Sequence, residues 1–509
     1  MTADRAAADP SAPHPLAIAL MAAAVGLVPL IVFGNKTALL VFVLGAAPAT
    51  LFTVVHHPRT AWLLAVACLP ITTAVPIMNT GANLSVPLEV LASLLAPLLL
   101  YALLAHPRAF RRLILHPLSI AVGLQLIWMT AATVFSTDPL VSGKALAVRI
   151  VYLTVFYVGG FVILDRTDSG QGRDPIRTTT AAVLLFAVPT AFWALARHAV
   201  YGFARKESYE IAQPFFPNHT EYATVLVVWL CLAVGLRENS SNRWRRPLTL
   251  VLVLLAAAVM VAGARSAWIA VLAGLITLVA SRFKPEPWRT ATAAALVVLV
   301  AGTGVLGLSR HKPEKGTVSD EAAIQNRAIS WLFSHDLVGG ESSLERLNRW
   351  HCAARMLRDR PLFGFGPATY EMTYGSYQQH RQLTRVSTFR GDRGGAHSEF
   401  MTVAAEYGLG GLLSLTAVVF LGLRSGVRSV RHAKTSRDFH WAAVWTAVFV
   451  VLTVSSFFNS LLELDKTAPL FWLAAAVLVH LDLRSTGSVD GAVKHPESLF
   501  RRPRPTERT

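Results

Sequence analysis

An all-α, polytopic integral membrane protein is the fold class this sequence predicts, on three observations. Apolar runs long enough to cross a bilayer recur from Pro15 to His480. Of 509 residues, 53% are hydrophobic and only 15% charged, a balance far from that of a water-exposed surface. The basic residues also sit in short connections between the apolar runs: His106 to Arg112, Arg237 to Arg246, Arg282 to Arg289 and Arg424 to Arg437. That placement reads the net charge of +17 as a membrane-orientation signal rather than a nucleic-acid surface.

The expected spans are 15–33, 37–55, 61–78, 84–105, 114–135, 145–164, 180–199, 221–236, 247–263, 266–281, 290–308, 399–422, 440–457 and 469–482. This makes about 12–14 transmembrane helices, the lower number if the 247–281 pair is merged and the short final run re-entrant. Residues 1–14 form a cytoplasmic N-terminus and lack the basic cluster of a removable signal, so 15–33 is read as a retained span. Residues 15–308 are then an N-terminal bundle of about eleven spans, 398–482 hold about three more, and 483–509 form a disordered basic cytoplasmic tail.

Between the two bundles lies one large polar loop, 309–397. A loop of this length needs structure of its own. Helical character is expected over 322–333 and 342–358, the second with Leu344, Leu347, Trp350, Ala354 and Leu357 at three- and four-residue spacing. Pro361-Leu-Phe-Gly-Phe-Gly-Pro367 ends that helix, because glycine and proline punctuate rather than continue one. With the basic connections inside, 200–220, 263–266, 309–397 and 458–468 all fall on the outer face, where they can build one site.

Several residues could carry chemistry there. Arg265 stands between two apolar runs, where a cation must snorkel, pair or meet an anion: it is an interfacial anchor beside Trp268 or a phosphate ligand. Arg346 and Arg349 share a helical face, and guanidinium forks match phosphate oxygens, although loop-surface charge is the plainer use. His397, with an unperturbed pKa of roughly 6.5, can take a proton from a sugar hydroxyl or can simply start a helix. Glu399 and Glu406 follow it, and a buried carboxyl such as Glu406 needs a partner, which makes it a helix-positioning group as readily as a substrate ligand.

Asn218, His219 and Glu221 open a span in Pro214-Phe-Phe-Pro-Asn-His-Thr-Glu-Tyr222, where capping explains Asn218 and sugar hydroxyls or His397 are the alternative partners of the other two. Arg149 lies inside an apolar run, as a ligand or as half of an internal ion pair. Asn459, Glu463, Asp465 and Lys466 in the last outer connection are weaker candidates. Cys68, Cys231 and Cys352 are far apart and make neither a zinc set nor an implied disulfide. No phosphate loop, dinucleotide fingerprint or His-Glu-x-x-His motif appears, so no cofactor, metal or nucleotide-driven transport is expected. A multispan transporter or flippase with Arg149 on a charged path is the rival from another class, and a noncatalytic membrane scaffold is a third reading.

Four pieces in order, Phe216-Pro-Asn-His-Thr-Glu-Tyr, Gly263-Ala-Arg-Ser-Ala-Trp, Glu345 to Gly366 and His397-Ser-Glu-Phe-Met-Thr-Val-Ala-Ala-Glu-Tyr-Gly, resemble the O-antigen ligase and polymerase superfamily, including related exopolysaccharide polymerases. Ser398 stands where that family usually has asparagine, and Ala264 and Ser266 replace its commoner flanking pair. The resemblance implies a GT-C-like, metal-independent, inverting glycosyltransferase of the bacterial inner membrane with its active site facing the periplasm. Its donor would be a glycan on undecaprenyl diphosphate and its acceptor either a growing chain, which makes a polymerase, or lipid A-core, which makes a ligase. The large aromatic loop inclines the reading to the polymerase. By the same resemblance Arg265, Arg346 and His397 are the catalytic residues, membrane lipids surround them, and a flippase and a chain-length regulator are candidate partner proteins.

Overall fold

The computed structural model describes residues 51–76, 83–168, 174–203, 210–283, 341–379 and 394–486, without the side chains of 166–168, 265 and 341–344. Its helices start where the chain supplies a proline at the first helical position, Pro58, Pro107, Pro117, Pro139 and Pro175, whose missing N–H would have no partner there. Asp138, Asp174 and Asn218 add side-chain caps, each accepting from an N–H of the first turn.

In chain order the elements are α1 (Pro58–Ala67), strands β1 (Thr73–Pro76) and β2 (Asn83–Val86), α2 (Leu88–Leu104), α3 (Pro107–Ile114), α4 (Pro117–Val134), α5 (Pro139–Asp165), α6 (Pro175–Val200), α7 (His219–Glu238), α8 (Asn242–Val261), α9 (Arg265–Ala280), α10 (Glu341–Asp359), α11 (Glu399–Arg431), α12 (Ser436–Ser456) and α13 (Thr467–Ser485). Among the described residues nine helices are long and apolar enough to cross a membrane, or ten if the bent pair α2 and α3 is one span. The chain is a multi-pass, largely α-helical membrane protein. Helices α7, α12 and α13 are apolar all round and form its buried centre, whereas α4, α8 and α9 turn most of their surface outward.

Two expected spans change. Span 61–78 is not one helix: α1 stops at Ala67, Pro70 stands in the following tight turn, and the β-branched run after it enters β1, which pairs antiparallel with β2, Thr73 opposite Val86. Span 84–105 starts four residues late and turns by 101° into α3, because His106 precedes proline and takes non-helical backbone angles. The pair over 247–281 is two separate helices, α8 and α9, and the final run is a full, deeply buried helix. Spans 15–33 and 290–308, most of 37–55, the helix expected over 322–333 and the tail beyond Thr486 lie outside the described residues.

The two ends of the bundle differ in chemistry. At one end the basic connections find acids: Arg112 with Asp165 (2.9 Å), His116 and Arg428 with Asp482 (3.1 and 3.4 Å) and Arg484 with Asp438 (3.5 Å). The opposite end carries α10 and the loop after it.

That loop explains the Pro361 to Pro367 motif. Helix α11 is broken at Gly408, whose φ of 66° and ψ of −161° free the carbonyls of the preceding turn. The loop fills them: the N–H groups of Phe365 and Gly366 donate to the carbonyls of Ala405 (3.0 Å) and Glu406 (2.9 Å), and Leu409 N–H donates back to Pro361 O (2.8 Å). Thr137 N–H and the Ser142 hydroxyl then donate to the Phe365 and Pro367 carbonyls at 2.9 and 2.8 Å, so the same loop also ties down the start of α5. Gly364, at φ 64°, sits where any Cβ would run into the α11 backbone at Ala405 and Glu406. Gly364→Ala is therefore expected to cost at least the roughly 1–2 kcal/mol of a left-handed residue and to lower the thermal unfolding midpoint in detergent. An unchanged midpoint would show that the loop is not docked in this way.

Candidate functional site

Helix α10 is held against the first turns of α11 by a small apolar core of its own, Cys352, Ala353 and Met356 packed with Phe365, Tyr370, Tyr374, Ala396, Met401 and Ala405. The buried face of α10 is not the stripe expected from Leu344, Leu347, Trp350, Ala354 and Leu357: Ala354 is exposed, and Glu345, Asn348 and Arg349 are buried instead. A polar face can turn inward because its charges pair there.

Arg349, 6% exposed, shows how. Its Nε donates to Glu345 Oε1 at 3.0 Å, one helical turn back on the same face. From the same guanidinium, Nη1 donates to the Gly395 carbonyl at 2.9 Å and approaches His397 Nε2 at 3.4 Å. The group also lies over the Tyr374 ring, 5.4 Å from its centroid. Gly394 leaves the space for it, since a Cβ there would overlap the guanidinium. Trp350 Nε1 donates to Ala396 O (2.9 Å) and fixes α10 to this strand of chain, while Tyr370 Oη donates to the Arg349 carbonyl (2.7 Å) from the loop that follows α10.

His397 is consequently set in a frame. Its φ of 52° is left-handed, a conformation costing of order 1–3 kcal/mol that persists only where the surroundings impose it and that clusters at functional sites. Burial, then the guanidinium groups of Arg349 and Arg346, pull its imidazole down to about 4, with Glu345 opposing. At neutral pH the ring is therefore uncharged.

Arg346, half-buried on α10, is within electrostatic reach of both His397 and His219, so the Asn-His-Thr-Glu segment and the loop helix meet at one place. The last connection joins them: Thr220 Oγ1 donates to Asn459 Oδ1 at 3.2 Å, the Thr402 and Ser460 hydroxyls bond at 2.9 Å, and Ser460 Oγ lies 3.7 Å from the position a Gly395 Cβ would take. Arg265 begins α9, two residues after the left-handed Gly263; α9 packs on α7 and α12, with Gly274 at its middle against Cys231 of α7 and Val451 of α12. The side chain of Arg265 lies outside the described atoms.

The other expected ligands have visible structural work. Glu406 spends both oxygens on the loop, accepting from Tyr370 N–H and Ala368 N–H at 2.9 Å each, which is the helix-positioning alternative. Glu399 accepts from Leu462 N–H at 2.9 Å and so anchors the last connection to α11. Asn218 caps α7, taking Thr220 N–H at 2.8 Å. Glu221 is 1% exposed and faces Lys466 and Asp465. Arg149 is removed from the His397 frame, lining with Gln125, Tyr407 and Trp472 a narrow groove between α4, α5, α11 and α13, in electrostatic reach of Glu399, Glu406 and Glu463.

Sequence reasoning passed over Glu345 and undervalued Glu463. The first was legible as an acid four residues before an arginine on a helix. Glu463 reaches solvent, yet surrounding protein and then the carboxyl groups of Glu406 and Glu399 push it well above the usual carboxylate range, a crowding that only the fold creates.

Residues 250–416 match the family described as Wzy_C, O-antigen ligase, a stretch that runs from α8 through α10 into α11 and includes Arg265, Glu345, Arg346, Arg349 and His397. Over that stretch the chain is similar to the O-antigen ligase family. That likeness supports a membrane-embedded enzyme of glycan transfer. A search of curated proteins found no match. The description of this O-antigen ligase family favours the ligation alternative over chain polymerisation, the reading to which the loop alone inclined.

Proposed function

We propose that the protein is an inverting, metal-independent glycosyltransferase of the bacterial inner membrane, of GT-C-like architecture, that moves a glycan from undecaprenyl diphosphate to a saccharide acceptor, lipid A-core, at the periplasmic face. One observation carries the reading: Arg346, Arg349 and His397 from the loop meet His219 from α7 at the end of the bundle opposite the basic connections. Positive charge gathered beside an uncharged imidazole, at the mouth of an apolar bundle, suits an anionic lipid diphosphate whose tail stays between helices.

In this reading Arg346 and Arg265 hold the diphosphate and stabilise the charge that grows as it departs. His397 meets the reacting groups, and Arg349, already engaged by Glu345 and Gly395, supports His397 from behind. Direct attack by the acceptor hydroxyl on the anomeric carbon inverts the configuration there. The donor is already activated, so no nucleotide is consumed.

The experiment is reconstitution in liposomes with a defined polyprenyl-diphosphate oligosaccharide, scoring carrier release with lipid A-core as acceptor and, separately, with the donor alone. Carrier release that needs lipid A-core is the expected result, whereas chain growth from donor alone would return the protein to the polymerase class. Transport of intact donor without release of carrier would overturn the enzyme reading.

A further inference from the structure

Arginine carries only N–H donors, so the approach of Arg349 Nη1 to His397 Nε2 at 3.4 Å requires a lone pair on that ring nitrogen. A neutral imidazole with its lone pair on Nε2 carries its proton on Nδ1. Arg349 is not free to turn away: Glu345 holds Nε, the Gly395 carbonyl holds Nη1, and the Tyr374 ring lies beneath it. His397 Nδ1 makes no hydrogen bond to a described residue and is not among the buried atoms that lack a partner, so it remains open to a ligand.

Building on the transfer reaction proposed above, we infer that His397 acts as a hydrogen-bond donor through Nδ1–H, aimed at an oxygen of the departing diphosphate, with Glu345 and Arg349 as the positioning pair that fixes its tautomer. The charged groups around the ring agree with this assignment. From α10 it is faced by Arg349, Arg346 and Glu345, His219 of α7 stands across Arg346, and Glu399 two residues on is engaged with Leu462. Two cations against one facing carboxylate keep the ring neutral, and its depressed pKa makes it a poor proton acceptor.

The step balances without a protein base. The bond from the anomeric carbon to the diphosphate oxygen breaks and its electron pair leaves on the diphosphate. A new bond forms from that carbon to the acceptor oxygen, whose proton passes to an oxygen of the departing diphosphate. A donor directed at the growing negative charge accelerates this step, whereas an imidazole pinned by a guanidinium does not take the proton.

Full-length protein in liposomes, with polyprenyl-diphosphate oligosaccharide and lipid A-core, tests the assignment through two substitutions at one position. Asparagine tolerates the left-handed backbone of residue 397 and places an amide N–H close to ring Nδ1, but it cannot serve as a base. His397→Asn is expected to keep activity within about tenfold of the parent, and His397→Ala to lose about 10²–10³-fold. Arg349→Met uncovers Nε2 and frees the tautomer, so its kcat/KM is expected to fall near neutral pH and to recover as acid protonates the ring, because an imidazolium carries Nδ1–H whichever tautomer it came from, whereas the parent shows no such recovery.

Two results would overturn the inference: His397→Asn as inactive as His397→Ala while both unfold at the parent's midpoint, or a parental acid limb near neutrality that His397→Asn removes. If His397→Ala and Arg346→Ala both transfer glycan normally, the site itself is misassigned and the failure belongs to the proposed function.

Discussion

Arg346→Ala is expected to lower kcat/KM for carrier release by about 10²–10³-fold, the loss typical of removing one preorganised donor from a developing anion. The residue stands on α10, within electrostatic reach of both His219 and His397. Arg346→Lys should restore only part of the rate, because an ammonium keeps the charge but loses the planar fork. Protein yield and unfolding midpoint should stay near the parental values, since a half-buried loop arginine contributes little to the membrane core. A variant that transfers glycan at the parental rate would remove Arg346 from the machinery.

Glu406→Ala is expected to act on the fold instead. Its carboxyl group takes two backbone N–H donors, those of Ala368 and Tyr370, inside a site that is 1% exposed. Each donor left unsatisfied costs about 1–3 kcal/mol, so the pair amounts to roughly 2–6 kcal/mol and the loop should detach from α11. Because that loop carries the chain from α10 toward His397, activity should fall together with stability. Glu406→Gln, which keeps an acceptor for one amide, should be intermediate on both readouts. Protease digestion of detergent-solubilised protein, read as cleavage between Pro361 and Tyr377, checks the prediction, and an uncut loop in Glu406→Ala would refute it.

His397 also adds a pH dependence to stability whose sign is determined by its environment. Its folded pKa of about 4 lies below that of an unfolded histidine, so between those values the unfolded chain binds more protons. Its contribution is therefore fully present above about pH 6.5 and is lost as pH falls toward 4. Comparing the midpoint of the parent with that of His397→Asn at both ends of this window isolates the effect.

Much of the bundle was legible because hydrocarbon demands long apolar runs and satisfied backbones, constraints written residue by residue along the chain. The boundaries of α4, α6, α7, α12 and α13 fall within a few residues of expectation for that reason. Span 61–78 failed where mean hydropathy outweighed local geometry, since Pro70 and the β-branched residues after it favour a turn and a strand. The stripe on α10 failed for a different reason: apolar periodicity assumes that charges face water, whereas Glu345 and Arg349 pair inside.

By itself the chain determined a multi-pass helical membrane protein and the ends of most of its helices. Those properties follow from transfer energies and capping, which depend on neighbours within a few residues. Tertiary structure alone decided that Glu406 is a tether, that Arg349 is a brace rather than an open phosphate ligand, and that His397 is neutral with its Nε2 covered. Each of these depends on groups dozens to hundreds of residues apart brought within a hydrogen bond of one another, where low dielectric and unsatisfied backbone make one arrangement far cheaper than the rest.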